Sequence, residues 1–125
     1  MHSGHRKRFA LVVFGAATAL LIVASAAAHA VLLESTPAVN STVAGPNISI
    51  NLRFNVRIDA GRSRLTLVPP SGSVRPLEIG KQTSEDTLSA SAGGLPAGEY
   101  RLRWQVLASD GHITRGEIPF TVARS

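Results

Sequence analysis

The segment that decides the fold reads Tyr100-Arg101-Leu102-Arg103-Trp104-Gln105-Val106. Large apolar residues alternate strictly with arginine and glutamine, which is typical of a strand with one face in a core and the other in water. Tyr100 and Trp104 are therefore expected to be core residues. The same period of two predicts two more strands, whose inner faces carry Ile48, Ile50, Leu52 and Phe54 in one and Ile118, Phe120 and Val122 in the other.

Turn residues divide the remaining chain into short segments. Glycine and proline mark turns at 45–46, 69–72 and 93–98, and no segment after residue 28 keeps an apolar period of 3.6 residues. We expect an opening strand over Ala30 to Leu33 that Ser35-Thr36-Pro37-Ala38 ends, a loop over Val39 to Asn47, strands at Leu65 to Leu67, Val74 to Ile79 and Leu88, and a polar connection over Gly80 to Glu85. Six to eight short strands predict an all-β domain, an antiparallel sandwich or barrel.

Residues 1–28 have the pattern of a secretory signal peptide. Basic residues at 6–8 precede an apolar stretch over 9–23. The small residues Ala26 and Ala28 fit the pattern that signal peptidase recognises just before a cleavage site. We therefore expect export to the periplasm.

Cleavage after Ala28 would leave residues 29–125 as the mature domain, with His29 as its first residue. Two alternatives stay open. Residues 9–28 are nearly long enough for an uncleaved membrane anchor, which needs about 20 residues. Cleavage after Ala30 also satisfies the small-residue rule and would remove His29. The position of the cut therefore decides the function.

The charge of the chain argues against nucleic-acid binding. The chain has 13 Lys and Arg against 8 Asp and Glu, but three of the basic residues, 6–8, lie in the expected signal. Without them 10 basic and 8 acidic side chains remain, a difference of +2, and no basic run is left to follow a phosphate backbone. The absence of cysteine excludes disulfides and thiolate metal sites.

Three residues could form a metal site. At the start of a cleaved chain, His29 would carry a free α-amine beside its imidazole, and both nitrogens can bind one metal ion. Asp110 and His112 are two residues apart, so in an extended segment they project to the same side, with Cα atoms roughly 6.5 Å apart. One amine, two imidazoles and one carboxylate suit Cu(II), and we expect one ion per mature chain.

Other interpretations of these residues are open at this point. Asp110-Gly111 is a common turn dipeptide, so the segment could be an ordinary loop with an incidental histidine. Zn(II) could use the same ligands but prefers a tetrahedral arrangement. A Cu(I) site built on sulfur is excluded because the chain has no cysteine and its one methionine, Met1, belongs to the expected signal.

The chain resembles the CopC family of periplasmic copper-binding proteins. The resemblance runs in order through residues 29–125, and its motifs are His29-Ala30 with Leu32, Ser35-Thr36-Pro37-Ala38, Leu52-Arg53-Phe54, Leu95-Pro96-Ala97-Gly98-Glu99-Tyr100 with Trp104, Ser109-Asp110-Gly111-His112, and Gly116-Glu117-Ile118-Pro119-Phe120-Thr121-Val122. It implies a Greek-key β-barrel or sandwich of about seven strands, cupredoxin-like or immunoglobulin-like.

The resemblance also implies a function without turnover. Cu(II) would be held by the amine and imidazole of His29, with His112 and Asp110 completing the site. The protein would be a monomeric copper carrier or buffer in copper homeostasis or resistance, beside an inner-membrane copper transporter of the CopD type. Two features depart from the family pattern: the methionine-rich segment of some members is missing, and Val56 stands where many relatives have a glutamate.

Two other functions remain as alternatives. The first is an exported structural or adhesive β domain whose histidines are incidental. The second is copper-dependent oxidation. An amino-terminal histidine that binds copper through both its amine and its imidazole, called a histidine brace, also occurs in polysaccharide monooxygenases. A domain of about 97 residues (29–125) leaves little room for an extended substrate surface, and Asp110 would occupy a position that oxygen chemistry needs open.

Overall fold

The computed structural model describes residues 29–124, so the expected signal peptide lies outside the described residues. Turns and loops separate the eight strands of this part of the chain. The strands are β1 (Leu32–Thr36), β2 (Ser41–Ala44), β3 (Ile48–Phe54), β4 (Ile58–Val68), β5 (Arg75–Leu77), β6 (Thr87–Ala92), β7 (Gly98–Ala108) and β8 (Ile113–Ala123). Within this part of the chain no helix is long and apolar enough to cross a membrane.

The strands form two sheets that pack face to face. One sheet has the order β1-β3-β6 and the other the order β2-β8-β7-β4-β5. All pairs are antiparallel except β2 with β8, which is parallel. The predicted all-β class, in its sandwich form, is confirmed.

Alternating apolar residues of both sheets fill the space between them, as the strand pattern predicts. Trp104 and Tyr100 are both buried. The Trp104 ring meets Phe54 of the opposite sheet edge to face, with ring centroids 5.1 Å apart, while Tyr100 stacks on Phe120 at 5.6 Å. Such aromatic pairs add about 0.5–1.5 kcal/mol beyond the burial of their area. The core therefore joins β3 of one sheet to β7 of the other.

Two local expectations differ from the structure. The segment Val39 to Asn47 is not entirely a loop, because β2 forms within it and pairs with the end of β8 in parallel register. The apolar and polar residues of β2 alternate only in part, and all four are half-buried or exposed. The sequence pattern therefore gives little indication of this strand. The opening strand covers Leu32–Thr36 and not the expected Ala30 to Leu33, so it begins two residues later and ends three residues later, directly before Pro37.

Candidate metal centre

The three predicted ligands lie at one end of the sandwich, on two separate segments. His29 precedes β1, and Asp110 and His112 lie in the β7–β8 turn. The connection between β3 and β4, residues 55–57, lies between these segments and hydrogen-bonds to both. This short connection therefore fixes where the two segments stand relative to each other.

Asn55 holds the amino-terminal segment. The N–H of Val31 donates to Oδ1 of Asn55 at 2.7 Å, and the N–H of Asn55 donates back to the carbonyl of Val31 at 3.0 Å. Ala30, between His29 and this pair, is 5% exposed and belongs to the core. Anchoring at residues 30 and 31 fixes the backbone that leads to His29.

Arg57 holds the β7–β8 turn through its backbone. The N–H of Ser109 donates to the carbonyl of Arg57 at 3.1 Å, and the N–H of Ala108 donates to the carbonyl of His112 at 2.9 Å. Gly111 has φ of +91°, a value that glycine adopts without strain. The expectation of an extended Asp110–His112 segment is therefore wrong, since the close hydrogen bonds of the hairpin require a tight turn.

Asp110 and His112 nevertheless meet within this turn. Oδ2 of Asp110 lies 3.3 Å from Nδ1 of His112, and Oδ1 accepts the backbone N–H of His112 at 3.1 Å. The backbone hydrogen bond is the main reason that the pKa of Asp110 lies below its ordinary value, and the imidazole adds to the effect. The carboxylate is thus ionised at neutral pH, and it is oriented by His112, the residue beside which it would bind copper.

The turn brings His112 close to His29. The two ring centroids are 6.2 Å apart, and the ring planes are inclined by 70°. The side chains of His112 and Asp110 are 55% and 44% exposed, so solvent reaches both. Two imidazoles that are distant in sequence therefore share one open surface with a carboxylate.

These side chains alone do not complete a metal site. Across residues 29–124, no group of three or more histidine, cysteine, aspartate or glutamate side chains is arranged to hold a metal ion. The donor set that fits Cu(II) includes a free amine, which exists only if the chain begins at His29. Copper would also have to compete with His112 for Asp110.

Sequence reasoning missed the part played by Asn55. The residue lies just after a predicted strand and carries no sign of a long-range contact. Only the alignment of β1 with β3, in which Leu32 pairs with Phe54, shows why Asn55 faces Val31. The adjacent Val56 is half-buried and packs against the core, so this chain offers no carboxylate at that position.

Several known proteins are similar to this chain in both sequence and architecture. A family model described as the CopC domain matches residues 32–123. Protein YobA of Escherichia coli is 30% identical over 118 residues, covering 92% of this chain and 93% of YobA. Copper resistance protein C of Xanthomonas campestris is 32% identical over 112 residues, covering 83% and 87%. The crystal structure of CopC from Methylosinus trichosporium superposes with a TM-score of 0.68 at 28% identity, covering 75% and 93%.

Proposed function

The chain belongs to the CopC family, and from this premise we propose that it is a periplasmic copper-binding protein that carries or buffers Cu(II) without turnover. The observation that carries the proposal is the 6.2 Å approach of the His29 and His112 rings beside the Asp110 carboxylate. Copper is here the cargo. The proposed localisation requires export by residues 1–28, and the proposed amine ligand requires cleavage after Ala28.

We propose that the ligands differ in what they contribute. The α-amine and imidazole of His29 would bind as a chelate, which adds a second nitrogen without ordering a second segment. His112 would supply the third nitrogen from the β7–β8 turn. Asp110 would supply an oxygen and offset part of the ion's charge. Three nitrogen donors and one oxygen near a plane suit Cu(II) better than Zn(II) or Cu(I).

A carrier must release its ion, and two features of the proposed site favour release. The site lies at the surface, so an acceptor can approach it directly. Its ligands also come from separate segments, one of which is held by the hydrogen bonds between Val31 and Asn55 and by the burial of Ala30. Family resemblance leads us to propose a CopD-type membrane transporter as the acceptor and a monomeric carrier.

The donor set also weighs against the oxidase alternative. If Asp110 binds the metal, it fills a position that oxygen would need. The incidental-histidine alternative gives no account of why Asn55 and Arg57 hold the two histidine segments side by side. It predicts a melting temperature that does not change when Cu(II) is added.

Intact mass spectrometry of the protein purified from the periplasm, with and without Cu(II), tests the proposal. A mass that begins at His29 and gains one copper is expected. His112→Ala should lose most of this affinity while staying folded, and Asp110→Ala should lose less, because water can replace an oxygen donor. Asp59→Ala is the matched control, since Asp59 is an exposed carboxylate paired with Arg62. A mass beginning at Val31, or one that retains the leader, would refute the amine ligand.

A further inference from the structure

The outer face of the five-stranded sheet carries a cluster of arginines. Residues that alternate with the buried ones in β4, β7 and β8 point away from the core, and four of those that pair across these strands are arginine. We call this surface the arginine face; its arginines, all exposed, are Arg64, Arg101, Arg103 and Arg115.

Strand register sets the spacing of the arginine face. Arg64, Gln105 and Arg115 form one row across the three strands. Arg103 stands in the next row, between Thr66 and Glu117. Rows lie about 6.6 Å apart along the strands, and neighbouring strands about 4.8 Å apart. Between the first two rows is a groove of about 450 Å³ whose floor is formed where Trp104 pairs with Gly116.

Positive charge on this face is only partly balanced. Glu117 is shared by Arg103, at 2.9 Å, and Arg101, at 3.7 Å. The guanidinium of Arg115 donates to the neutral amide oxygen of Gln105 at 2.8 Å. Within residues 29–124, Arg64 makes no side-chain hydrogen bond and no ion pair. One carboxylate thus faces four arginines, and Glu99 lies beyond them, at the end of β7 far from His112.

The outer face of the other sheet differs in composition. Its central positions are small and neutral, and Ser89 donates to Asn51 at 2.8 Å. Its one arginine, Arg53, is matched by Glu34 at 2.9 Å. The uneven distribution of charge between the outer faces of the two sheets indicates that the arginines are not simply solubilising.

We propose that the arginine face docks an extended acidic segment of a partner protein. Glutamates or aspartates at alternate positions of an extended segment lie about 6.6 Å apart on one side, which matches the spacing of the rows. Arginine binds carboxylates through two parallel hydrogen bonds and is enriched in protein interfaces, whereas attraction to an anionic membrane needs only charge and is served equally by lysine.

Docking here would place the partner beside the β7–β8 turn. Arg115 follows His112 by three residues along β8, a separation of about 10 Å. The inference does not rest on the proposed copper function, because the face is complete without a metal ion. It can therefore be tested on the copper-free protein, and failure of one proposal leaves the other standing.

The probe is a short synthetic peptide in which glutamate alternates with threonine, titrated into the copper-free, isotope-labelled protein and followed by amide chemical shifts. We expect shifts confined to β4, β7 and β8. Arg64→Gln/Arg115→Gln should weaken binding roughly five- to tenfold, as expected for two exposed charged contacts. The matched control, Arg53→Gln/Lys81→Gln, removes the same charge outside this face and should bind as the unaltered protein does.

Three results would overturn the inference. The first is equal weakening by the two double variants, which would mean that only net charge matters. The second is a set of shifts spread over both sheets. The third is absence of peptide binding at low salt, whether or not the protein binds phosphatidylglycerol vesicles; vesicle binding in that case would assign the face to a membrane.

Discussion

Replacing Asn55 by alanine tests how the amino-terminal segment is held. The change removes the acceptor of the Val31 N–H, at 2.7 Å, but keeps the backbone hydrogen bond from residue 55 to Val31 at 3.0 Å. Because this side-chain bond is exposed, its loss should cost about 0.5–1 kcal/mol. The segment leading to His29 then occupies its docked position for a smaller fraction of the time.

The expected consequence is a measurable loss of copper affinity. If only the docked segment brings His29 to His112, affinity falls in proportion to the docked fraction, by at most about two- to fivefold for this free energy. Competition between the protein and a calibrated Cu(II) chelator measures the change.

The control for this variant is Asn51→Ala. Asn51 is also exposed and accepts a hydrogen bond, from Ser89 at 2.8 Å, but it has no contact with the amino-terminal segment. Its affinity for copper should stay unchanged. Equal affinities for Asn55→Ala and the unaltered protein, with both folded and copper-bound, would refute the reasoning that Asn55 organises the site.

Three more predictions concern the site and the core. One extra residue before His29 should weaken Cu(II) binding by orders of magnitude, because an amide replaces the amine. Unchanged affinity in the chelator assay would exclude copper binding through the α-amine of His29. Gly116→Ala should lower the free energy of unfolding by about 1–3 kcal/mol, since a Cβ there would overlap the Trp104 ring; Gly61→Ala, where the nearest atom is at 3.5 Å, is the control in a denaturant titration. The Asp110 carboxyl should titrate below its ordinary value of 3.8 in the copper-free protein, as followed by NMR. Because the pKa of Asp110 is lower in the folded than in the unfolded protein, the carboxylate stabilises the fold above the unfolded pKa, and this contribution is lost as the pH falls through the folded pKa. Titration at or above 3.8 would contradict the turn geometry.

Alternating strands were predictable from the sequence because burial imposes the alternation. β7 and β3 are long and have one wet face, so their inward residues are apolar and, apart from Leu107, their outward ones are polar. β2 was not predictable, since its four residues are partly exposed and its pairing depends on β8, which is distant in sequence.

The candidate ligands were predictable as residue types, but their geometry was not. The spacing of Asp110 and His112 is compatible with a strand or a turn, and the hairpin hydrogen bonds decide for the turn. The contact made by Asn55 was also not predictable from the sequence. Its contact with Val31 exists only after β1 has aligned with β3, so no local pattern indicates it.

The parallel pairing of β2 with β8 affects the order in which the protein can fold. An early strand has its hydrogen-bonded neighbour among the last residues of the chain, from Phe120 to Ala123. Contacts between such distant segments slow folding, because a long loop must close before they form. A chain emerging from a ribosome or a translocation pore therefore cannot complete its larger sheet until its final strand is free. Because His112 directly precedes that strand, the two histidines meet late in folding, and a nascent chain presents only separate, weak sites to copper.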